Sequence, residues 1–297
     1  MTALALPTGT RRDIAAGLSA DEARWLVDYY YAVQDYRIQA TGQARAVAQE
    51  ADAGVVSLAE HLGSSMSSAE AEIKKALDEY SSAHVPGQWA KSIVGIGPVI
   101  AAGLIAHIDI ERAPTVGHIW SFAGLNPEAK WEKGQVRPWN AKLKVLCWKL
   151  GDSFVKFHNH EKDIYGKVYA ARKIQEVERN DAGLFADQAA RSLEERKIKD
   201  KDLKACYEAG RLPAGRLDLR ARRYAVKLFL SGLHEVMYFT AYGELPPKPY
   251  VVEHLGHAHY YGVPNTEMVP GLQEAHRAQG RQPMPDVSDA GMEEGKS

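Results

Sequence analysis

"SIVGIGPVIAAGLIAHIDI", residues Ser92 to Ile110, is the most apolar stretch of the chain, and Gly95, Gly97 and Pro98 interrupt it. Such a run can be a membrane segment, a buried helix, or a backbone surface shaped to touch something. Length separates the first two. A spanning helix needs ~20 predominantly apolar residues. Here the run after Gly-Ile-Gly-Pro, Val99 to Ile108, stops at Asp109, Glu111 and Arg112. A buried helix therefore fits and a membrane partner does not. The interruption has its own logic. An apolar helix end, Gly-Ile-Gly, then a helix with small residues at Ala101, Ala102 and Gly103 is the pattern of a helix-hairpin-helix. Glycine permits positive φ and removes Cβ atoms. Pro98 suits an early helical position, because its missing N–H would have no helical partner. Backbone N–H groups at such a helix start, aided by the helix dipole, bind phosphate. The plain alternative is a tight turn between core helices.

The rest of the chain sets limits. With 297 residues and 45% hydrophobic content it can bury the core of one or two domains. The formal net charge of -1 advertises no anionic partner, so any basic surface must be local. Cys147 and Cys206 stand far apart. They form neither a disulfide framework nor a paired-cysteine zinc site, and a reducing cytoplasm suits them. "MTALALPTGTRRDIAAG" lacks a basic region ahead of an apolar core, so no signal peptide is expected.

Strand signals are few, and the expected class is all-α: a helical arm, a helix-hairpin-helix core and a charged helical insertion. Residues 1–85 read as the arm, coiled-coil-like but without a sustained heptad. Residues 1–18 read as a loose lead-in. Ser19 to Glu22 form a capping box, in which hydroxyl and carboxylate each satisfy a free N–H. Behind it Trp25, Leu26, Tyr29, Tyr30 and Val33 recur at helical spacing, and Trp25 and Trp89 read as core. "GSSMSS", Gly63 to Ser68, reads as a break, with a second capping box at Ser67 to Glu70. Residues 86–160 form the hairpin core, 161–215 the insertion, 216–272 a closing helix with a histidine-rich loop, and 273–297 a disordered tail.

Two basic clusters stand out. Lys130, Lys133, Arg137, Lys142, Lys144 and Lys149 interleave with Trp131, Trp139 and Trp148. Arg211, Arg216, Arg220, Arg222, Arg223 and Lys227 form the second, just before and within the start of the closing helix. Each phosphate-bound cation releases counterions, so a few can dominate affinity. Solvated helix faces are the bland reading. The expected DNA contacts are Gly95, Ile96, Gly97, Pro98, Lys130, Lys133, Arg137, Lys142, Lys144, Arg220, Arg222 and Arg223.

From Ile93 to Leu143 the sequence resembles the C-terminal transposase domain of the DEDD-type insertion-sequence transposases (the IS-one-ten family). The matching positions are Gly95, Ile96, Gly97, Pro98, Ala101, Ala102, Asp109, Ile110, Arg112, Pro114, Ala123, Gly124, Leu125 and Pro127, with Asn140 in the later "WNAKLKVLCWKLG". The arm is similar to the coiled-coil region that precedes this domain in the family. The resemblance implies DNA as partner, duplex or branched, with RNA a further candidate, and a homo-oligomer joined through the arm. It also implies a nucleoid-associated place in a bacterial cytoplasm. Two departures matter. The family carries an N-terminal resolvase-like nuclease with four metal-binding carboxylates, whereas residues 1–85 read as helix. The family's serine after the Gly-Leu-x-Pro motif falls at Trp131 or Glu132, in "EAKWEKGQ"; Ser121 and Ser153 do not match it. Catalytic residues stay unassigned, and Mg²⁺ belongs only to a catalytically active form. The expectation is a transposase-like DNA-binding protein of a mobile element without its own nuclease site. A divergent transposase or recombinase and a non-DNA helical scaffold are the alternatives.

Other clusters are weighed against plainer roles. His254, His257 and His259 can offer imidazoles to zinc, but no single spacing serves all three. "FHNHEKD", with His158, His160, Glu161 and Asp163, reads as a polar helix end before a metal or acid–base site. Asp109 and Glu111 read as a cap.

Overall fold

The structure, a computed structural model, describes residues 8–47, 53–127, 129–247 and 262–281. Among these residues every regular element is helical, as the sequence predicts. Three helices build the arm: α1 (Thr8–Ala16), α2 (Ala20–Val47) and α3 (Ala53–Ser82). The capping box starts α2. The Ser19 N–H donates to the Glu22 carboxylate at 2.7 Å, and the Glu22 N–H donates to the Ser19 hydroxyl at 3.3 Å. α2 and α3 run antiparallel. Their root buries Ala23, Val27, Tyr30, Ile73, Leu77 and Tyr80 against Val99, Ala102 and Ala106 of the hairpin's second helix and Leu146 beyond it. Farther out, Glu70 accepts from Arg37, Gln34 and Tyr30 at 2.5, 3.0 and 3.0 Å.

The hairpin helices are α4 (Val85–Ser92) and α5 (Pro98–His107). A 3₁₀ turn (Ile110–Arg112) and α6 (Val116–Phe122) lead to α7 (Ala141–Phe157). Then come α8 (Tyr165–Asp181), α9 (Ala186–Glu195), α10 (Lys201–Glu208) and α11 (Ala214–Tyr242). A second 3₁₀ turn (Thr266–Met268) precedes α12 (Leu272–Ala278). α4, α5, α7, α8 and α11 share one core. At its centre Trp89 stacks on Phe229 at 5.5 Å, and Phe154 on Tyr165 at 5.3 Å. α9 and α10 make a satellite around Phe185, Ala189, Tyr207, Leu212 and Leu217. The charged region expected over 161–215 is thus divided: α8 belongs to the main core through Tyr165, Val168 and Tyr169.

Several local expectations are corrected. The lead-in contains α1, held to α3 by Arg11–Glu72 and Arg12–Glu79 pairs. "GSSMSS" lies inside α3. Its hydroxyls at Ser65, Ser67 and Ser68 donate to carbonyls one turn back, which occupies them without a cap. Trp89 is buried as expected, but Trp25 is 64% exposed and stacks on Tyr29 at 5.7 Å. The start of the expected tail is α12, anchored by buried Leu272 and by His276, whose ring pairs with Glu235 of α11. Among the described residues no helix is long and apolar enough to cross a membrane.

Candidate nucleic-acid interface

The hairpin turn closes when the Ile96 N–H donates to the Ile93 carbonyl at 3.0 Å. Gly95 sits at φ 88, in the left-handed region, and its carbonyl accepts from the Ser153 hydroxyl of α7. A Cβ there would stand 2.9 Å from the Ser153 oxygen and 3.0 Å from the Phe157 ring. Gly95 is therefore required by the fold. Gly97 differs. It is exposed, has open space where a Cβ would go, and caps α5 in an extended conformation at φ -93, ψ 174. Its carbonyl takes the Ala101 N–H at 3.0 Å. The N–H groups of Gly97, Val99 and Ile100 precede that bond, which leaves them for an outside acceptor. Pro98 occupies the first turn, as predicted. Ile96 is buried with its N–H spent, so the anion-competent part of the motif runs from Gly97 to Ile100. Ala101 and Ala102 are fully buried, and Leu146 packs where a Cβ on Gly103 would be, 2.8 Å away. The small residues thus let α2 and α7 close on α5.

The two basic clusters meet in space. Arg216, Arg220, Arg223 and Lys227 recur on one face of α11. Burial, then Arg220 and Arg216, lowers the affinity of Arg223 for its proton. Burial, then Arg223, does the same to Lys227. Burial, then Arg223 and Arg137, does it to Lys144. Arg137, Lys144, Arg223, Lys227 and Arg216 therefore form one ladder of cations across the start of α7 and the first half of α11. No carboxylate pairs with any of these five among the described residues. Aromatic rings hold three of them in place. Arg137 lies over Trp131 at 4.6 Å, Lys144 over Trp139 at 4.1 Å and Lys227 over Trp120 at 4.8 Å.

Other expected contacts sit elsewhere. Arg220 lies on the ladder but bonds Glu176 at 2.5 Å. Arg222 faces the other way, toward Asp218 at 2.6 Å and Asp152 at 3.4 Å. Lys142 reaches Asp28 of the arm at 3.2 Å, and Lys149 lies over Tyr31 at 4.0 Å. Lys130 and Lys133 are exposed on the segment before α7. The hairpin and the ladder occupy different ends of α7. Ser153 and Lys144 are nine residues apart, about 14 Å along the helix axis. Helical spacing could have picked out Arg216 and Lys227 on the Arg223 face and set Arg222 aside.

His254, His257 and His259 lie outside the described residues. Among the described ones no group of three ligating side chains could hold a metal. The "FHNHEKD" segment is a helix end: the Asp163 carboxylate accepts from the Gly166 and Lys167 N–H groups at 3.2 and 2.8 Å. The Asp109 carboxylate accepts from the Glu111 N–H at 3.1 Å, a cap as read from the sequence. No curated protein and no solved structure matches the chain. Residues 88–131, which hold most of α4, the hairpin, α5, α6 and the Ala-Gly-Leu-x-Pro motif, match the model of the Transposase IS116/IS110/IS902 family, and over that segment the chain is transposase-like.

Proposed function

We propose that the chain is a DNA-binding protein of a mobile genetic element that grips the phosphate backbone. The observation that carries this reading is the uncompensated ladder of Arg137, Lys144, Arg216, Arg223 and Lys227. Cations held together at a shared electrostatic cost gain most from a polyanion laid across them. The Gly97 to Ile100 N–H groups supply a second phosphate contact, which fixes register without reading sequence. Exposed Trp131 and Trp148 add ring faces suited to unpaired bases, which favours branched over plain duplex DNA. RNA offers the same backbone and is the second partner to assay. The outer arm leaves Tyr36, Ile38, Val55, Leu58 and Leu62 exposed, and a second arm covering them makes the protein a homo-oligomer.

The test is a gel-shift series across duplex, junction, single-stranded and RNA substrates at rising salt. Binding should be tight at low salt and fall steeply. Gly97→Glu puts a carboxylate where phosphate would sit, at a position with room for it, and should weaken binding at least tenfold. Absence of binding at low salt, or indifference to Gly97→Glu, leaves a non-DNA scaffold as the reading. The family match supports a second reading, a divergent transposase or recombinase. Mg²⁺-dependent nicking of branched DNA that persists through repurification would establish it.

A further inference from the structure

A cavity of about 540 Å³ opens between the arm root, the 3₁₀ turn after α5, and the start of α7. That is within the usual range for a small organic ligand. His107 lines it, 7% exposed, and neither ring nitrogen has a hydrogen-bond partner. A buried imidazole left unpaired is costly, and a ligand that pairs with it removes the cost. Burial, then the Arg24 cation, holds the ring down to about 4, with Lys142 acting the same way and Asp28 opposing. The imidazole is therefore neutral at physiological pH and offers one N–H and one lone pair, interchangeable by tautomer. Such a ring can meet a donor or an acceptor on a base edge. The mouth is different in character. Arg112 and His118 are exposed there, and His118 keeps one nitrogen free because Nδ1 bonds the Thr115 hydroxyl at 3.0 Å. Phe122, a residue 44% exposed, lines the wall. The Asp109 carboxylate, also in the lining, can accept from a sugar hydroxyl or an exocyclic amine.

We infer that this cavity binds a single nucleotide unit, its base stacked on Phe122 and bonded to His107, its phosphate at Arg112 and His118. The unit is either an unpaired nucleotide of a bound strand or a free nucleotide. The strand-borne form rests on the DNA-binding reading above.

The full chain is titrated into a paired duplex, the same duplex with one bulged 2-aminopurine, and free dAMP, each by fluorescence or calorimetry. Base–aromatic stacking predicts about tenfold tighter binding of the bulged duplex. His107→Leu and Phe122→Ala should each abolish that preference and leave the paired duplex unaffected. Circular dichroism melts confirm that both variants fold, and Phe122 is exposed enough that its loss spares the core. Binding of dAMP that depends on His107, without a bulge preference, makes the occupant a free nucleotide. Equal affinity for both duplexes together with no dAMP binding overturns the inference. If the paired duplex fails to bind at low salt, the broader reading fails, and the dAMP titration still decides the cavity.

Discussion

The cation ladder makes a quantitative prediction about salt. If Arg137, Lys144, Arg216, Arg223 and Lys227 each neutralise one phosphate, log K should fall against log salt with a slope of about -4.5, at ~0.9 per contact on duplex DNA. Between 50 and 200 mM salt that is a loss of about 500-fold. Replacing Lys144 and Arg223 by alanine leaves three contacts, a slope of about -2.7, and a loss of about 40-fold over the same range. Neither residue has a carboxylate partner, so the double variant leaves no charge stranded. Fluorescence anisotropy with a labelled duplex across five salt concentrations reads the slope directly. Arg222→Gln is the control. Its guanidinium is spent on Asp218 and Asp152, so it should destabilise the fold while leaving the slope unchanged. A wild-type slope in the double variant, or a reduced slope in the control, would refute the assignment of these faces.

Three further outcomes concern the scaffold. Gly95→Ala should cost about 1–3 kcal/mol in urea unfolding, since alanine resists φ 88 and crowds Ser153, whereas Gly97→Ala should stay within about 0.5 kcal/mol. Glu176 is 1% exposed between Arg172 and Arg220, so Glu176→Gln strands two guanidinium groups and should cost about 3–5 kcal/mol, visible as a lowered melting temperature. Burial works to raise the pKa of Glu70, but hydrogen bonds from Arg37, Gln34 and Tyr30 outweigh it and bring it below the ordinary 4.5. Glu70→Gln should therefore lose about 1–2 kcal/mol at pH 7. That difference should narrow as pH falls from 4.5 through the lowered folded-state pKa and the wild-type carboxylate protonates; a difference that does not narrow on acidification would exclude the ionic account.

What could be read from the sequence was chemistry confined to a few neighbouring residues. The Ser19 to Glu22 box, Pro98 in the first turn of α5 and the Asp109 cap all form as predicted, because each partner lies within three residues. The second box did not form. Glu70 has the same local pattern behind Ser67, but Arg37 on the facing helix draws its carboxylate away, and no window along the chain reveals that pull. Trp25 sits at helical spacing with Tyr29, yet both face outward, because small Ala23 and Val27 occupy the root. The basic clusters were visible as composition. Their division into the free Arg223 face and the paired Arg222 face follows from helical spacing and from Asp218 one turn before Arg222; only the second partner, Asp152, is brought alongside by the fold. His107 gave no signal in sequence, since a lone histidine in an apolar run usually finds a partner.

The Trp89 indole N–H donates to the Pro264 carbonyl at 2.8 Å, and the Asn265 amide donates to the Ser92 hydroxyl at 2.8 Å. These bonds span 175 and 173 residues and fasten the first hairpin helix to a segment synthesised long after it. A helix synthesised early is therefore completed late. During translation α4 must wait through the emergence of α5 to α11 with its indole lacking that acceptor, at ~5–20 residues per second. Closing so long a loop slows folding more than it weakens the finished protein. The hairpin thus gains its final rigidity only after residues 262–281 have left the ribosome, and a nascent chain halted before them would hold the hairpin helices without their clasp.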